Sequence, residues 1–489
     1  MRIGIDFGTS YSAAGAVIDG NLQLIRFGDD RQFRTTVFFP LRMPDVTQFE
    51  LTPELDDQVR ALVAGAKRDQ TQEQARVQRL REEAMKRPAH LRAEALALVP
   101  TARRQSDHEM HRAAVVAVRR QWATDEIRKA MDSGADVQNA LYGDDAVKAY
   151  MASGSGHLVV SPKSMLGYKL EGNAREALLR IATQLLRHIR TTASAQLGAD
   201  VRAAVMGRPV RFRSSMKEAG GVQALEILTD AAYAAGFDSV DFLEEPAAAA
   251  YGYHRAVAMP RRTLILDIGG GTTDIALANV GGPGAAPVID GSWGDPVGGT
   301  DVDIELSMRG VMALFGKGVT PTAVHRYYEA STVHDLERQS RFQHASFKHV
   351  EAPYGERLEQ LKLPGHTVRL NRAVERAKIG LSDEDQIEFE LDYIEDGLRV
   401  RLDKERLHDA ASPFLRHLGD LMRRARAELP YQPEVVYLTG GMSRSPYVPL
   451  AVREVFPGAE IVSGDASLGV VTGLAHAAAA GQGEAVMGT

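Results

Sequence analysis

The sequence contains the same short pattern twice, separated by about half the chain. An apolar run ends in aspartate and glycine in Ile3-Gly4-Ile5-Asp6-Phe7-Gly8 and again in Leu264-Ile265-Leu266-Asp267-Ile268-Gly269. Threonine follows in each turn, at Thr9 and Thr272. A repeat at this separation indicates two related folding units in one chain. The pattern therefore predicts a duplicated strand–turn–strand unit, and it limits the fold more than any other feature does.

Each of these turns has the composition of a phosphate-binding backbone segment. Glycines let amide groups converge on phosphate oxygens without obstruction by side chains. An aspartate at the strand end is placed to hold a hydrated divalent cation, because Mg²⁺ usually keeps several waters and contacts few carboxylates. One such turn could equally be an ordinary tight hairpin, but two in the same register favour a phosphate clamp. The sequence has neither G-x-x-x-x-G-K-[ST] nor a helix-opening G-x-G-x-x-G, so it indicates neither a P-loop nor a dinucleotide fold.

The composition excludes several other classes of protein. The 489 residues carry a formal net charge of −6 and include no cysteine, which excludes disulfides and cysteine-ligated metals. This charge gives no reason to expect nucleic acid or a membrane as partner. The N-terminus has the pattern of a strand, and no apolar run approaches the roughly 20 residues that span a bilayer. The histidines lack ligand spacing, so we expect a cytoplasmic protein without a transition-metal site.

The order of the remaining elements predicts an α/β fold. Asp19-Gly20 predicts a hairpin turn early in the chain. The stretch at about 52–150 is rich in Arg, Ala, Gln and Glu, and it predicts helices that break near Pro88 and Pro100. Such a helical face is either simply solvated or a basic docking surface for an acidic partner, and both interpretations stay open.

Further segments follow, in chain order, the signatures of one protein family. They are Pro162-Lys163 before Leu166-Gly167, Glu244-Glu245-Pro246, Gly298-Gly299-Thr300-Asp301-Val302-Asp303, Glu375-Arg376-Ala377-Lys378 with Leu381-Ser382, Gly440-Gly441-Met442-Ser443-Arg444, and Asp465-Ala466-Ser467. Together with the two Asp-Gly turns, they resemble the 70-kilodalton heat-shock chaperones of the DnaK type, a branch of the actin-like ATPase superfamily. The resemblance covers nearly the whole chain. It departs from the family at Glu244, Ala247 and Thr273, which stand where the family has Asn, Thr and Phe.

The resemblance implies a site for ATP or ADP with Mg²⁺. Asp6 and Asp267 would hold the water shell of the ion, and Asp274 would be a further residue of the metal site, near the attacked phosphate. Lys163 would stabilise charge on the γ-phosphate, Glu245 would orient water or metal, and Thr272 would complete the catalytic set. The other nucleotide-binding positions implied are Gly8, Thr9, Ser10, Gly269, Gly270, Gly271, Gly298, Gly299, Glu375, Lys378, Ser382, Gly440, Gly441, Arg444 and Asp465. Without the resemblance, Glu375 and Lys378 at i and i+3 would be interpreted as a helix ion pair.

We therefore predict an actin-like ATPase fold with two lobes, each a mixed sheet flanked by helices. The first lobe would comprise residues 1–257 with the helical insertion at about 52–150. The second would comprise residues 260–489 with a small subdomain at about 311–409. Little sequence follows Ala480, so the chain is similar to the short, nucleotide-domain-only YegD-like members, and no peptide-binding domain is expected.

Three functions remain open at this point. The first is an ATP-binding, slowly ATP-hydrolysing chaperone-like protein whose lobe closure acts on an unidentified protein partner. The second is a nucleotide-binding interaction protein with little turnover, or one that polymerises as actin does. The third is a small-molecule kinase on the same fold, which the DnaK-like helix that carries Glu375 and Ser382 disfavours.

Overall fold

The computed structural model of the chain describes residues 1–40, 49–100, 105–133, 139–170, 173–282, 286–481 and 484–485. The chain forms two compact units, one of residues 1–40 and 137–489 and the other of residues 41–136. Most of the polar tail predicted after Ala480 lies outside the described residues. No helix in the described part of the chain is both long enough and apolar enough to cross a bilayer.

The first unit contains both strands and helices, and the helices between residues 53 and 133 belong to the second unit. The strands are β1 (Arg2–Phe7), β2 (Tyr11–Ile18), β3 (Asn21–Leu24), β4 (Phe33–Arg34), β5 (Thr36–Phe39), β6 (Leu141–Tyr142), β7 (His157–Val160), β8 (Ala203–Arg208), β9 (Ser239–Glu244), β10 (Arg261–Ile268), β11 (Thr273–Val280), β12 (Val288–Asp295), β13 (Gln386–Glu390), β14 (Arg399–Asp403), β15 (Val435–Thr439), β16 (Glu460–Ser463) and β17 (Glu484–Ala485). The α-helices are α1 (Pro53–Met85), α2 (Ala89–Ala97), α3 (Asp107–Ser133), α4 (Gly143–Ser153), α5 (Ala174–Leu197), α6 (Glu218–Ala235), α7 (Glu245–His254), α8 (Gly299–Leu306), α9 (Val324–Ser331), α10 (Leu336–His344), α11 (Tyr354–Leu361), α12 (His366–Gly380), α13 (Lys404–Glu428), α14 (Tyr447–Val455) and α15 (Gly469–Ala479).

Two mixed sheets repeat one topology. The first sheet contains the order β3-β2-β1-β8-β9, and the second has the order β12-β11-β10-β15-β16. In each sheet the first two pairings are antiparallel and the last two are parallel. The central strands β1 and β10 are those that end in the repeated Asp-Gly pattern. The predicted α/β class and the duplication of the strand–turn–strand unit are therefore confirmed.

The hairpin predicted at Asp19-Gly20 connects β2 and β3. Asp19 has φ of 49° and Gly20 has φ of 80°. Positive φ at both central residues is the requirement of the type I′ turn, whose twist matches that of the flanking strands. The Asp-Gly pair therefore sets the register of the antiparallel meander that opens the chain.

The two repeated halves meet where α7 crosses α15. A Cβ atom on Gly473 of α15 would lie 1.6 Å from the carbonyl oxygen of Ala248 on α7, so only glycine fits at this crossing. The same helix packs on the first sheet, where a Cβ atom on Gly4 would lie 2.3 Å from the backbone nitrogen of Ala475. Small residues thus let the backbones approach closely, which places the turns after β1 and β10 near each other.

The second unit is helical and has a small core. Thr52 caps α1 by accepting a hydrogen bond from the backbone of Leu55 at 3.4 Å. Val59 of α1 packs with Ala114 and Val118 of α3. Most other described side chains of these helices are exposed. The helix breaks near Pro88 and Pro100 agree with the prediction from the sequence.

Candidate nucleotide-binding site

A cleft of about 620 Å³ opens between the turns that follow β1 and β10. Most of the residues that the sequence predicted for the site line it: Asp6, Gly8, Thr9, Ser10, Lys163, Glu245, Asp267, Gly269, Gly270, Thr272, Gly299, Glu375, Lys378, Ser382, Gly440, Gly441 and Arg444. Four predicted residues do not line the cleft, although each lies within two positions of a residue that does: Gly271, Asp274, Gly298 and Asp465. Residues separated by hundreds of positions are thus brought together around one space.

The two glycine-containing turns face each other at the base of this cleft. A Cβ atom on Gly270 would lie 2.3 Å from Ser10 Oγ, and one on Gly271 would lie 2.7 Å from Thr9 Oγ1. Any larger residue at these glycines would therefore clash with the side chains of Ser10 and Thr9. The glycine backbone of the second turn and the hydroxyl groups of Thr9 and Ser10 in the first turn together form a surface that suits phosphate oxygens.

Helix α8 holds the second turn in place. The N–H of Gly299 donates to the carbonyl oxygen of Gly269 at 3.0 Å, and that of Thr300 donates to Gly270 at 2.7 Å. Gly298 lies close against this turn, since a Cβ atom there would lie 2.7 Å from the Gly269 oxygen. Gly298 and Gly299 therefore pack against the second turn, and of the two only Gly299 lines the cleft.

A buried ion pair lies beside the turns. Lys163, in the short 3₁₀ helix after β7, contacts Glu245, the first residue of α7. The Lys163 side chain is only 5% exposed. Burial alone would lower the pKa of Lys163, but the carboxylates of Glu245 and Asp6 outweigh it and raise that pKa. The lysine therefore stays charged at neutral pH.

Carboxylates outnumber cations at the base of the cleft. Asp6 and Asp267 occupy equivalent places on β1 and β10, and Asp274 stands opposite Asp267 in the antiparallel pair. Burial, and then the charge of Glu245, raises the pKa of Asp6 to about 7 and that of Asp274 to about 8. The same causes raise the pKa of Asp267 well above its ordinary value. The site therefore contains more carboxyl groups than Lys163 alone would neutralise if all of them were ionised.

Asp274 is held in place by one oxygen only. Its Oδ1 accepts a hydrogen bond from the N–H of Val210 at 2.8 Å, whereas its buried Oδ2 has no partner. Within the described ranges, no three histidine or acidic side chains are grouped for direct ligation of a metal ion. The carboxylates thus suit a cation that keeps most of its water.

The other end of the cleft is lined by α12 and the turn after β15. Glu375 of α12 pairs with Arg34 of β4 at 2.8 Å, and the Arg34 guanidinium lies 4.8 Å from the centre of the Tyr11 ring. Lys378 pairs with Asp303 of α8 at 2.9 Å. Glu375 and Lys378 are therefore each paired with a residue on another element.

Arg34, Tyr11 and Asp303 were not predicted as site residues. Arg34 is preceded by no recognisable motif, so its position became visible only in the folded chain. Asp303, in contrast, lies in the Gly298–Asp303 segment that the sequence had singled out. Asp465, whose role in nucleotide binding stays a prediction, lies in the turn before α15, where its Oδ1 accepts hydrogen bonds from the N–H groups of Ser467 and Leu468 at 2.8 and 2.9 Å.

Sequence comparison relates the residues around this cleft to one family of known proteins. The family model described as "Hsp70 protein" matches residues 142–317, which include Lys163, Glu245 and the whole second turn. The chain is 27% identical to Chaperone protein DnaK of Trichormus variabilis over 292 residues, which are 58% of this chain and 36% of the relative. It is 25% identical to Chaperone protein DnaK of Thermosipho melanesiensis over 65% of this chain and 47% of the relative. It is also 25% identical to the Heat shock cognate HSP70 protein of Trypanosoma brucei brucei, over 67% and 48%.

These matches support a relationship to the Hsp70 family. The duplicated sheets of this chain are those of the actin-like ATPase fold that Hsp70 proteins share, as the sequence predicted. Hsp70 proteins in general bind ATP or ADP with Mg²⁺. The alignments span about a third to a half of the length of these curated Hsp70 relatives.

Proposed function

We propose that the protein binds ATP with Mg²⁺ in this cleft, hydrolyses it slowly, and uses the resulting change of the cleft to act on a protein partner as a chaperone-like switch. The observation that carries the proposal is the meeting of the two Asp-Gly turns beside the buried Lys163–Glu245 pair. Phosphate-binding backbone, acidic groups for a hydrated cation and a buried lysine are the parts that phosphoryl transfer requires.

The residues present fit a magnesium ion. The pKa values of Asp6, Asp267 and Asp274 are raised by burial and by the charge of Glu245, and a bound cation would offset this repulsion. Asp6 and Asp267 would hold the water shell of the ion from opposite sides, and Asp274 has an oxygen without a partner nearby. The ion would supply neutralisation of charge on the phosphates.

The proposed reaction is an in-line displacement at the γ-phosphorus of ATP. The oxygen of a water molecule forms a bond to phosphorus, and the bond from phosphorus to the β–γ bridging oxygen breaks. The electron pair of that bond stays on ADP, and the proton of the water leaves to solvent with inorganic phosphate as the second product. Lys163 stabilises the negative charge that develops, and Glu245 orients the lysine and the water.

The step from nucleotide to partner requires two states of the cleft. A nucleotide can bias a partner only if the partner binds those states with different affinity. The exposed, arginine-rich faces of α1 and α3 are the surface that we propose for an acidic partner. We place this activity in the cytoplasm, whose reducing conditions suit a chain without cysteine.

The decisive experiment measures phosphate release from ATP by the purified chain with no acceptor added. We expect turnover that depends on Mg²⁺ and that falls by about tenfold or more in Asp267→Asn, the scale for removal of one positioned charge. Asp420→Asn, at an exposed carboxylate of α13, is the matched control and should behave as wild type.

Two results would contradict the proposal. One is Mg²⁺-dependent turnover that is unchanged in Asp267→Asn. The other is a failure of ATP and ADP to bind in calorimetry. Turnover that appears only after a small-molecule acceptor is added would instead support the kinase alternative, and nucleotide-dependent sedimentation would support a polymer.

A further inference from the structure

A second cavity, of about 330 Å³, adjoins the second phosphate turn through Arg213. The Arg213 guanidinium donates to the carbonyl oxygen of Gly271 at 3.4 Å, to that of Pro296 at 3.1 Å and to Asp301 Oδ2 at 2.6 Å. Arg338 and His334 line the same cavity. We call it the Arg213 cavity. It is separate from the nucleotide cleft but shares one wall with the turn that would hold the phosphates.

The acidic side chains of the Arg213 cavity are already engaged within the protein. Asp301 Oδ2 accepts from the N–H of Gly298 at 2.9 Å as well as from Arg213. Asp335 accepts from the backbone of Arg338 at 2.9 Å, and it lies 3.2 Å from the Arg338 side chain. Glu305 accepts from Tyr328 and from Arg309, both at 3.1 Å. Each of these carboxylates is therefore already paired with a donor of the protein itself.

The buried side-chain atoms of this cavity that have no hydrogen-bond partner are nitrogen atoms of His334 and Arg213. His334 is 7% exposed, and its buried Nδ1 has no hydrogen-bond partner. The Nε of Arg213 is likewise buried without a partner. The Arg338 side chain, 44% exposed, engages Asp335 through Nε, which leaves its terminal nitrogens available to the cavity. Burial, and then the charge of Arg213, lowers the pKa of His334 to about 4, so its neutral ring offers one N–H at neutral pH.

We propose that the Arg213 cavity binds an oxyanion of the phosphate class, with Arg338 and Arg213 as its cations and His334 as a further donor. Guanidinium groups match the geometry of phosphate oxygens, and charge-assisted hydrogen bonds to them are stronger than neutral ones. The cavity is large enough for a free phosphate with water or for a small phosphomonoester. That the ligand is the phosphate released from ATP rests on the proposed function, whereas binding of the oxyanion itself does not.

The test is a calorimetric titration of inorganic phosphate into the full chain with the nucleotide cleft saturated by ADP and Mg²⁺. Wild type is expected to show saturable binding at one site. Arg338→Gln should weaken it by about tenfold, the effect of one charge-assisted hydrogen bond. Arg423→Gln is the matched control, because Arg423 also pairs at i,i+3 with an aspartate but lies outside the cavity. His334→Gln should weaken binding independently of Arg338.

Glycerol phosphate forms the second arm of the titration. If it binds as tightly as inorganic phosphate, the ligand is a small phosphomonoester; if it binds more weakly, the ligand is free phosphate. The proposal is overturned if phosphate gives no more heat than chloride at equal ionic strength, or if Arg338→Gln binds phosphate as wild type does. Should ADP fail to bind, the same titration without nucleotide still compares Arg338→Gln with Arg423→Gln, so failure of the two proposals can be told apart.

Discussion

Arg34 and Glu375 form an ion pair of 2.8 Å between β4, beside the first sheet, and α12, which lines the nucleotide cleft. Their side chains are only 18% and 13% exposed, so the pair is partly shielded from water. It therefore ties together two parts of the chain that must separate if the cleft is to open at this end.

Breaking this pair should speed the release of nucleotide. We expect Arg34→Gln to raise the rate of ADP dissociation by about tenfold, because truncating one partner of a shielded charge pair acts mainly on dissociation rates. Stopped-flow measurement with a fluorescent ADP analogue checks this. Arg31→Gln, at an exposed arginine just before β4, should leave the rate unchanged. Equal rates in all three proteins would show that the pair does not restrain the cleft.

Lys163 should act on the transition state more than on nucleotide binding. Lys163→Ala is expected to lower kcat by about 10²- to 10³-fold with little change in KM, since the lysine would face charge that develops during reaction. Loss of ATP binding, or normal turnover, would count against this role. Steady-state assays of phosphate release provide both parameters.

The buried partner of Lys163 complicates that variant. Removing the lysine leaves Glu245, which is 8% exposed, without its cation, and breaking a buried pair costs about 3–5 kcal/mol of stability. The double variant Lys163→Ala/Glu245→Gln should recover most of this stability in chemical unfolding but should not recover turnover. Recovery of turnover together with stability would mean that the single variant was inactive only because it was poorly folded.

The stability of the protein without metal or nucleotide should fall as pH rises. The pKa of Asp274 is raised from 3.8 to about 8, so between these values the folded state binds more protons than the unfolded state does. The stabilising contribution of the protonated group is complete below pH 3.8 and is lost as pH rises through 8. In Asp274→Asn this loss should be smaller, as measured by urea unfolding from pH 5 to about 9. An identical pH dependence in the variant would show that Asp274 is ionised throughout.

The second unit should be removable without loss of nucleotide binding. Strands β5 and β6, on either side of it, pair in register, with Val37 opposite Tyr142 and Phe38 opposite Leu141. Replacing residues 41–136 by a short glycine-containing turn should therefore close a hairpin. We expect the affinity for ADP to change by less than about threefold, because every residue that lines the cleft lies in the other unit. Calorimetry with wild type as reference checks this, and loss of ADP binding in a folded variant would show that the second unit supports the cleft.

Partner binding provides the complementary test of that deletion. Consider an acidic partner that binds the ATP and ADP states of wild type with different affinity. If α1 and α3 carry the docking surface, the shortened chain should not bind this partner. A partner that still binds the shortened chain with the same preference for ATP over ADP would place the surface elsewhere.

The parts of the candidate site that depend on backbone conformation could be predicted from residues that are neighbours in sequence. The two Asp-Gly turns, the Gly298–Gly299 pair and the hairpin at Asp19-Gly20 each require residues that tolerate close approach or positive φ, and such requirements are visible along the chain. The α/β class followed in the same way from the order of strands and helices. The lobe limits and the roles of individual site residues stay predictions, since they depend on ligands and motions.

The duplicated unit and the candidate phosphate-binding residues could thus be predicted before the fold was known. The charge pairs could not: the folded chain was needed to show that Glu375 faces Arg34 and that Lys378 faces Asp303. The same holds for Arg213, which reaches the second Asp-Gly turn, and for His334, whose Nδ1 has no partner in the cavity beside it. The physical reason is that backbone conformation is set by neighbours in sequence. A charged side chain, in contrast, takes its partner from whichever element packs against it, and long-range packing gives no local signal.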